Sequence, residues 1–343
     1  MTLEPSSTAI AQGHDTHANT LKAKRIGIDT QHESVVYMHR DCHVCRSEGF
    51  RALARVRLRY RSKSVIATIN HVSGNLLAAG EAGLSDSLWR RLGVSAGDKL
   101  RISHAPPLDS LSLVRGKVYG KRLDEAAFQE VISDVVAGRY SDIHLASFVT
   151  ACSARPLDHG EIVGLTRSMI DVGDRLSWDR RPIIDKHCVG GLPGNRTTPI
   201  LVAIVAACGL TMPKTSSRAI TSPAGTADTM ETMAPVDLDI GAMRSVVERE
   251  GGCIVWGGAV RLSPADDLLI RIERALDLDG EGQLVASILS KKIAAGATEL
   301  VIDVPIGPTA KVRSEQAAAA LIRSLTAVAE AFGLRVRALS TDG

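Results

Sequence analysis

Short apolar runs alternate with helix-like stretches through the second half of this 343-residue chain. The apolar runs lie at residues 182–184, 253–256, 299–304 and 335–339. The stretches with helical periodicity lie at residues 198–208, 241–250, 283–294 and 314–332. Alternation of this kind is typical of a sheet that is covered by helices. The pattern therefore predicts an α/β unit after Trp178.

Three other patterns precede that unit. Residues 1–22 are rich in Ser, Thr, His and Gln, and we expect them to form a disordered tail. Short strands between glycine-containing turns predict a β-rich unit over residues 23–105. Helical periodicity follows Pro106 and Pro107, and an Asp near the start of each stretch is a candidate N-cap. The expected helices span residues 124–137, 142–153 and 158–172.

Charge and composition exclude several classes of protein. The chain has 41 Lys and Arg against 38 Asp and Glu, and aromatic residues make up 3% of it, which disfavours a dedicated nucleic-acid binder. The longest apolar run, residues 200–212, is shorter than the roughly 20 residues of a membrane span, and the N-terminus lacks an apolar signal segment. The six scattered cysteines are interpreted as reduced thiols. We therefore expect a soluble cytoplasmic protein that acts on a small molecule, with no nucleic-acid or membrane partner.

The segment DKHCVGGLPGNRTT, residues 185–198, follows a short apolar run and precedes an apolar helix. Its consecutive glycines allow backbone N–H groups to approach an anion, and the helix N-terminus adds a positive dipole. Lys186, Thr197 and Thr198 supply a cation and two hydroxyl donors. The spacing fits neither the Walker nor the Rossmann pattern. The segment predicts a phosphate-binding loop, with an ordinary strand-to-helix turn as the alternative.

A second segment, KTSSRAITSPAGTAD at residues 214–228, is dense in hydroxyl side chains and contains Arg218 and Gly225. Hydroxyl groups beside a cation and a glycine suit the recognition of phosphate and sugar oxygens. A solvated Ser/Thr-rich loop is the alternative interpretation.

Two further motifs have competing interpretations. His39, Cys42, His43 and Cys45 are metal-ligand types, but no second Cys/His pair follows at suitable spacing, so we favour buried thiols and no metal. The run RALARVRLRYR, residues 51–61, alternates Arg with apolar residues. It could be an RNA-binding strand, and we favour a half-buried strand with a solvated basic face.

The two hydroxyl- and glycine-rich segments, with VEREGGCIVWGGAVRLSPADD at 247–267 and LVASILSKKIAAG at 284–296, resemble the thymidine phosphorylase / AMP phosphorylase family. The resemblance runs from about Arg25 to Gly343. In addition, DCHVCRSEGF at 41–50 is similar to the extra N-terminal domain of the type 2 bacterial and archaeal branch. The resemblance implies the thymidine phosphorylase fold, which is an α/β fold with a helical domain and a mixed-sheet α/β domain. An extra N-terminal β-rich, barrel-like domain would precede it.

The same resemblance implies a domain division. The helical domain would comprise residues 106–177 and 264–296. The α/β phosphate-binding domain would comprise residues 178–263 and 297–343, and family members typically continue beyond that point, so we expect this domain to be truncated.

By resemblance the chain is expected to be a pentosyltransferase, a glycosyltransferase that forms homodimers or larger homo-oligomers. Inorganic phosphate would be the co-substrate, no cofactor would be needed, and thymidine would give its base and 2-deoxyribose 1-phosphate. One alternative is an AMP phosphorylase that gives ribose 1,5-bisphosphate. Others are a phosphoribosyltransferase of related fold and an inactive fragment that binds a phosphate ligand.

Site residues follow from the resemblance, position by position. The catalytic candidates are Asp279 as proton donor to the base, His187 beside the sugar and base, and Lys186. The phosphate would be bound by Lys186, Gly190, Gly191, Thr198 and Thr226. The base would be contacted by Ser287 and Lys291, or by Ser287 and Lys311 as in the AMP branch. An anion site for a 5′-phosphate is implied at Ser217, Arg218, Ala219, Ile220, Thr221 and Ser222.

Two positions depart from the pyrimidine-specific branch. Cys188 stands where that branch has Ser, so a strong hydroxyl donor is replaced by a weak thiol donor. A base-reading Arg of that branch aligns near Glu273, and it has no clean counterpart in this chain.

Overall fold

The computed structural model describes residues 19–190, 196–218, 224–278 and 280–343. The chain divides into two compact units, Met1–Pro107 and Leu108–Gly343. In the described part of the chain, no helix is long and apolar enough to cross a membrane.

The first unit is a closed six-stranded barrel with two short helices, which confirms the predicted β-rich, barrel-like unit. Its elements are β1 (Thr20–Arg25), β2 (Val35–His39), α1 (His43–Glu48), β3 (Arg55–Tyr60), β4 (Lys63–Val72), β5 (Glu81–Leu84), α2 (Asp86–Leu92) and β6 (Lys99–His104). The strands close in the order β1-β5-β2-β4-β3-β6. β3 and β4 form an antiparallel hairpin, whereas β1 pairs with β5, and β2 with β4, in parallel.

Alternation of side chains explains the barrel's strands. In β3, Val56 and Leu58 are fully buried in the barrel while Arg59 is exposed, so the interpretation as a half-buried strand with a basic face is confirmed. The expected tail over residues 1–22 is too long, because β1 begins at Thr20. Burial of Leu21 in the barrel core fixes that end of the strand.

The second unit combines a helical bundle with parallel strands. Its elements are α3 (Ser110–Val118), α4 (Glu125–Val136), α5 (Asp142–Ala154), α6 (His159–Asp171), β7 (Ile184–Cys188), α7 (Thr197–Ala207), β8 (Met212–Ser216), α8 (Thr226–Glu231), α9 (Ile240–Glu250), β9 (Gly252–Trp256), α10 (Pro264–Leu276), α11 (Glu281–Ala294), β10 (Glu299–Ile306), α12 (Glu315–Glu330) and β11 (Arg335–Asp342). The bundle consists of α3–α6 with α10 and α11 packed against them, and Phe128 and Phe148 meet edge to face in its core.

Local signals account for most of these helices. Asp124 and Asp158 accept hydrogen bonds from the N3 backbone N–H groups, as N-caps do. At α5 the N-cap is Ser141 and not Asp142, which lies in the first turn. α12 begins after its N-cap Ser314, as its sequence predicts.

The strands of the second unit form two sheets, β11-β10-β7 and β8-β9, and an isolated parallel bridge between Ile183 and Thr211 joins them. A mixed sheet was expected, but every pairing among these described strands is parallel. The reason is the connections: α7, α9 and α12 each return the chain to the starting edge before the next strand. The carboxyl ends of β7, β8, β9 and β10 therefore point to one edge, where α/β proteins bind their ligands.

Candidate active site

Strand β7 carries two charged residues into the interior of the second unit. Lys186 is 6% exposed, and its Nζ lies 3.2 Å from Asp303 Oδ2 on β10. The same Nζ donates a hydrogen bond to Thr197 Oγ1 at 3.4 Å, in the first turn of α7. The predicted cation therefore lies beside the predicted helix N-terminus, and Thr198 is buried in the same turn.

Asp185, the neighbour of Lys186, is held between two buried ammonium groups. Lys292 Nζ lies 2.9 Å from Asp185 Oδ2, and Lys214 Nζ lies 3.7 Å from Oδ1. Both lysines also donate hydrogen bonds to the carbonyl oxygen of Thr215. Burial and the nearby charge of Lys292 lower the pKa of Lys214 to about 7. Asp185 therefore compensates the charge of Lys292, and Lys214 is only partly protonated near pH 7.

The charges of four lysines act on His187, and we call these four the lysine cluster: Lys186, Lys214, Lys291 and Lys292. Burial, and then the charges of these lysines, hold the pKa of His187 well below its usual value. His187 is therefore a neutral imidazole near pH 7, able to donate or accept a hydrogen bond without carrying charge.

Asp303 balances part of the lysine cluster. Partial burial opposes its ionisation, but a hydrogen bond from Thr341 Oγ1 at 2.7 Å and the charge of Lys186 outweigh that effect and lower its pKa. Cys188, at the end of β7, also bonds to Asp303 through its thiol. The Cys188 thiol is therefore directed to a carboxylate. A thiol is also a weaker hydrogen-bond donor to phosphate than a hydroxyl group.

A cavity of about 130 Å³ opens at the same edge of the sheet. The residues that line it come from the loop after β8, the turn after β9, the start of α10, and α11: Ser216, Ser217, Arg218, Trp256, Gly257, Gly258, Ser263, Asp267, Ile270 and Lys291. Three parts of the chain, residues 216–218, residues 256–270 and Lys291, therefore meet around one space. Such convergence of polar groups and an aromatic ring is typical of a small-molecule site.

Arg218 forms one wall of the cavity and is held by two carboxylates. Its guanidinium donates two hydrogen bonds to Glu231, at 2.5 and 2.8 Å, and one to Asp228 at 3.3 Å. It also lies over the Trp256 ring, 4.9 Å from the ring centroid. The hydrogen bonds to Glu231 raise the pKa of Arg218 further above its usual value. Its charge is therefore permanent and largely offset by its partners.

Lys291 and Ser287 meet on one face of α11, as their spacing predicts. Lys291 Nζ donates to Ser287 Oγ at 3.2 Å and to Asp266 Oδ2 at 2.5 Å. Asp267 is the neighbour of Asp266 in the chain. It is exposed to solvent in the cavity, but the surrounding protein limits its hydration. This effect and the charge of Asp266 raise the pKa of Asp267 to about 6.

The predicted site residues fall into three groups. Ser217, Arg218 and Lys291 line the cavity, and Lys186 and His187 lie in the lysine cluster next to it. Gly190 lies against Lys311, where an added Cβ would be 3.1 Å from the Lys311 Cβ, whereas Thr198 and Thr226 lie in the first turns of α7 and α8. Six predictions lie outside the described residues: Gly191, Ala219, Ile220, Thr221, Ser222 and Asp279.

Sequence reasoning missed several residues of this site. Trp256 and Asp267 line the cavity, and Lys214 and Lys292 belong to the lysine cluster. One available signal was the presence of charged residues inside buried elements, since a buried ammonium requires a partner or an anionic ligand. No comparable signal in the sequence predicted that Trp256 lines the cavity.

Comparisons with known proteins were consistent with this geometry. Residues 111–173 match the family model described as "glycosyl transferase family, helical bundle domain". Residues 180–335 match the model described as "glycosyl transferase family, a/b domain". A protein from Polaromonas sp. is 62% identical over 323 residues, which cover 94% of this chain and 63% of that protein. One from Acidovorax sp. is 64% identical and covers 96% and 64% of the two chains. One from Chelativorans sp. is 59% identical and covers 98% and 66%.

These three relatives carry the name "putative thymidine phosphorylase". The chain spans slightly less than two thirds of the length of each of them. Among solved structures, anthranilate phosphoribosyltransferase from Thermus thermophilus is similar with a TM-score of 0.54. It is 23% identical, and the match covers 67% of this chain and 66% of that one. That likeness shows the fold alone, a helical bundle with an α/β domain.

Proposed function

The chain belongs to the glycosyl transferase family that joins a helical bundle domain to an a/b domain, and on that premise we propose that it is a phosphorolytic pentosyltransferase that cleaves thymidine. Inorganic phosphate attacks the anomeric carbon of thymidine, the bond to the base breaks, and thymine and 2-deoxyribose 1-phosphate leave. The names of the relatives support this substrate. No cofactor is needed, because the nucleophile and the leaving group both belong to the substrates.

The observation that carries the proposal is the position of Lys186. Its ammonium is nearly buried at the carboxyl end of β7, next to the N-terminus of α7 and within the lysine cluster. Three of its lysines are paired with carboxylates: Lys186 with Asp303, Lys291 with Asp266 and Lys292 with Asp185. The fourth, Lys214, has its pKa lowered to about 7 by burial and by the charge of Lys292. A bound phosphate adds negative charge beside these ammonium groups, which favours the protonated form of Lys214, and it accepts hydrogen bonds from the helix N-terminus.

The phosphate contacts are proposed for Lys186, Gly190, Gly191, Thr198 and Thr226. A phosphate fixed by these groups is a better nucleophile than free phosphate, because its position relative to the sugar is set before reaction. Its negative oxygens also stabilise the positive charge that develops on the pentose ring as the bond to the base breaks.

The base is proposed to occupy the cavity, with Ser287 and Lys291 at its polar edge. Lys291 is already aligned by Asp266 and Ser287, so its remaining N–H can donate to a base carbonyl. His187 stays neutral and hydrogen-bonds to the sugar or base without adding positive charge beside the developing cation. Asp279 is proposed as the acid that protonates the departing base.

Arg218 bears on the choice between thymidine and a nucleoside 5′-monophosphate. In an AMP phosphorylase the stretch from Ser217 to Ser222 would bind the 5′-phosphate, with Arg218 as its cation. Here the guanidinium is engaged by Glu231 and Asp228, and its charge is largely offset. This arrangement supports a substrate without a 5′-phosphate.

The remaining features follow the same family pattern. We propose the thymidine phosphorylase fold, with residues 106–177 and 264–296 as helical domain and residues 178–263 and 297–343 as part of the α/β domain. We further propose that the enzyme is a cytoplasmic homodimer.

The test is a substrate panel with and without inorganic phosphate. Purified protein is incubated with thymidine, uridine, adenosine, AMP, CMP or UMP, and released base is measured by chromatography. Thymine released from thymidine only when phosphate is present supports the proposal. Base release confined to the nucleotides would establish the AMP-type reaction instead. Base transfer that needs a pyrophosphate-activated ribose and Mg²⁺ would indicate a phosphoribosyltransferase.

A further inference from the structure

Two cysteines of the barrel unit lie at the start of α1, outside the proposed active site. Cys42 is the N-cap of the helix, and its Sγ accepts a hydrogen bond from the backbone N–H of Cys45 at 3.2 Å. Cys42 is fully buried and Cys45 is 5% exposed. The turn therefore holds the two side chains of a Cys-X-X-Cys motif on the same side of the backbone.

The two thiols also interact directly. A hydrogen bond between them lowers the pKa of the Cys42 thiol to about 7 and raises the pKa of the Cys45 thiol. Cys42 is thus the thiol that ionises first, and Cys45 is the proton donor that stabilises its thiolate. A reactive thiolate next to a protonated partner is the arrangement from which disulfides form.

His71, on β4, supplies a third group. Its Nε2 lies 3.9 Å from Cys45 Sγ. An imidazole at that distance can take the Cys45 proton when that sulfur becomes the attacking group. In the part of the chain that the structure describes, no group of three or more His, Cys, Asp or Glu side chains is arranged to hold a metal ion.

We propose that Cys42 and Cys45 are a redox-active dithiol that peroxide converts into an intramolecular disulfide. The Cys42 thiolate attacks one peroxide oxygen, the O–O bond breaks, and Cys42 becomes a sulfenic acid while hydroxide leaves. That hydroxide becomes water by taking up the proton that the Cys42 thiol released when it ionised. The Cys45 thiol then gives its proton to His71, and the Cys45 sulfur attacks the sulfur of the sulfenic acid. The sulfenic OH group takes the proton from His71 and leaves as water. One dithiol and one hydrogen peroxide give one disulfide and two waters, so the cysteines lose two electrons and the peroxide gains them.

Access decides which oxidant can react. Cys42 is fully buried and only Cys45 touches solvent, so an oxidant reaches the Cys42 thiolate only when the start of α1 opens locally. A small peroxide needs a smaller opening than a bulky disulfide such as glutathione disulfide. The Cys-X-X-Cys spacing in a helical turn brings the two Cα atoms within the range that a disulfide spans. This site is independent of the proposed phosphorolysis.

The sequence offers a direct assay. Trypsin cleavage after Arg40 and Arg46 places both cysteines in one short peptide, DCHVCR, apart from the other four. The whole chain is treated with hydrogen peroxide, its free thiols are alkylated, and the peptide is weighed. We expect the doubly alkylated peptide to be replaced by an unalkylated one about 2 Da lighter than the free dithiol. Dithiothreitol should restore two alkylation sites.

Variants separate this chemistry from general oxidation. Cys45→Ser should stop at a sulfenic acid on Cys42 that dimedone traps, and His71→Gln should slow disulfide formation several-fold. Cys208→Ser, which removes an exposed cysteine elsewhere, should change neither rate. If Cys45→Ser does not fold, the unmodified chain still decides. A DCHVCR peptide that keeps two free thiols while Cys208 is oxidised, or that gains oxygen atoms without a disulfide, would overturn the proposal.

Discussion

Lys291 Nζ lies 2.5 Å from Asp266 Oδ2, so the cation proposed to contact the base is held by a carboxylate that is only 1% exposed. The pair joins α11 to the first turn of α10, and both helices contribute residues to the cavity. Ser287 accepts a second hydrogen bond from the same ammonium. The direction of the Lys291 side chain is therefore set before any substrate binds.

Replacing Asp266 should damage both stability and activity. Asp266→Asn removes the charged acceptor of the Lys291 ammonium, which is partly exposed, and the loss of a hydrogen bond between charged groups is expected to cost about 2 kcal/mol of unfolding free energy. It should also lower kcat/KM for thymidine at least tenfold, because the ammonium is no longer aligned. Urea unfolding and steady-state kinetics measure the two effects. A variant with unchanged kcat/KM would contradict the positioning role of Asp266.

The stability contribution of Asp267 should depend on pH. Its pKa is raised from 3.8 to about 6 in the folded chain. Between these values the folded chain holds a proton that the unfolded chain has released, so this group makes the fold less stable as pH rises. The stability of Asp267→Asn relative to the original chain should therefore increase as the pH is raised from about 4 to about 7. Urea unfolding of both proteins at the two pH values tests this. A difference in unfolding free energy that does not change with pH would contradict it.

Releasing Arg218 should increase sensitivity to 5′-phosphates. Glu231→Gln removes the carboxylate that makes two hydrogen bonds to the guanidinium. Thymidine 5′-monophosphate should then inhibit thymidine cleavage about two- to fivefold more strongly, the size of effect expected for a partly exposed ion pair. Inhibition constants measure the change, with Glu248→Gln as a control at an exposed position on α9. Equal inhibition of both variants would argue against an anion site at Arg218.

A buried ion pair in the helical bundle should be costly to break on one side. Lys117 Nζ lies 2.7 Å from Glu161 Oε1, and each side chain is 3% exposed. Lys117→Met leaves a buried carboxylate without its cation, and we expect a loss of about 3–5 kcal/mol. The double variant Lys117→Met/Glu161→Gln should lose less, because the amide carries no charge and still accepts the Leu123 N–H bond. Chemical denaturation of both variants tests the ordering.

Local signals in the sequence were sufficient for the elements that depend on neighbouring residues. The alternation in RALARVRLRYR, residues 51–61, identifies β3, and Asp124 and Asp158 mark the starts of α4 and α6. β8 was missed because its sequence, MPKTS, has few apolar residues. It is a strand because it pairs with β9 and because Asp185, on β7, compensates the buried charge of Lys214.

The candidate site was predictable only in part, for a related reason. Lys186 and Arg218 stand in segments whose own composition points to anion binding. Trp256 and Asp267 become site residues because the ends of separate strands and helices converge, and no short stretch of sequence contains that information. The redirected thiol of Cys188 likewise depends on Asp303, which is more than 100 residues away.

The most direct test of the proposed function is the phosphate dependence of thymidine cleavage in Lys186→Met, compared with Lys121→Met. Lys121 is an exposed lysine of the helical bundle and serves as the matched control. We predict that Lys121→Met keeps the original kcat and KM for phosphate, whereas Lys186→Met loses at least a hundredfold in kcat/KM for phosphate while remaining folded by circular dichroism. Unchanged phosphate kinetics in folded Lys186→Met would contradict the assignment of the phosphate site.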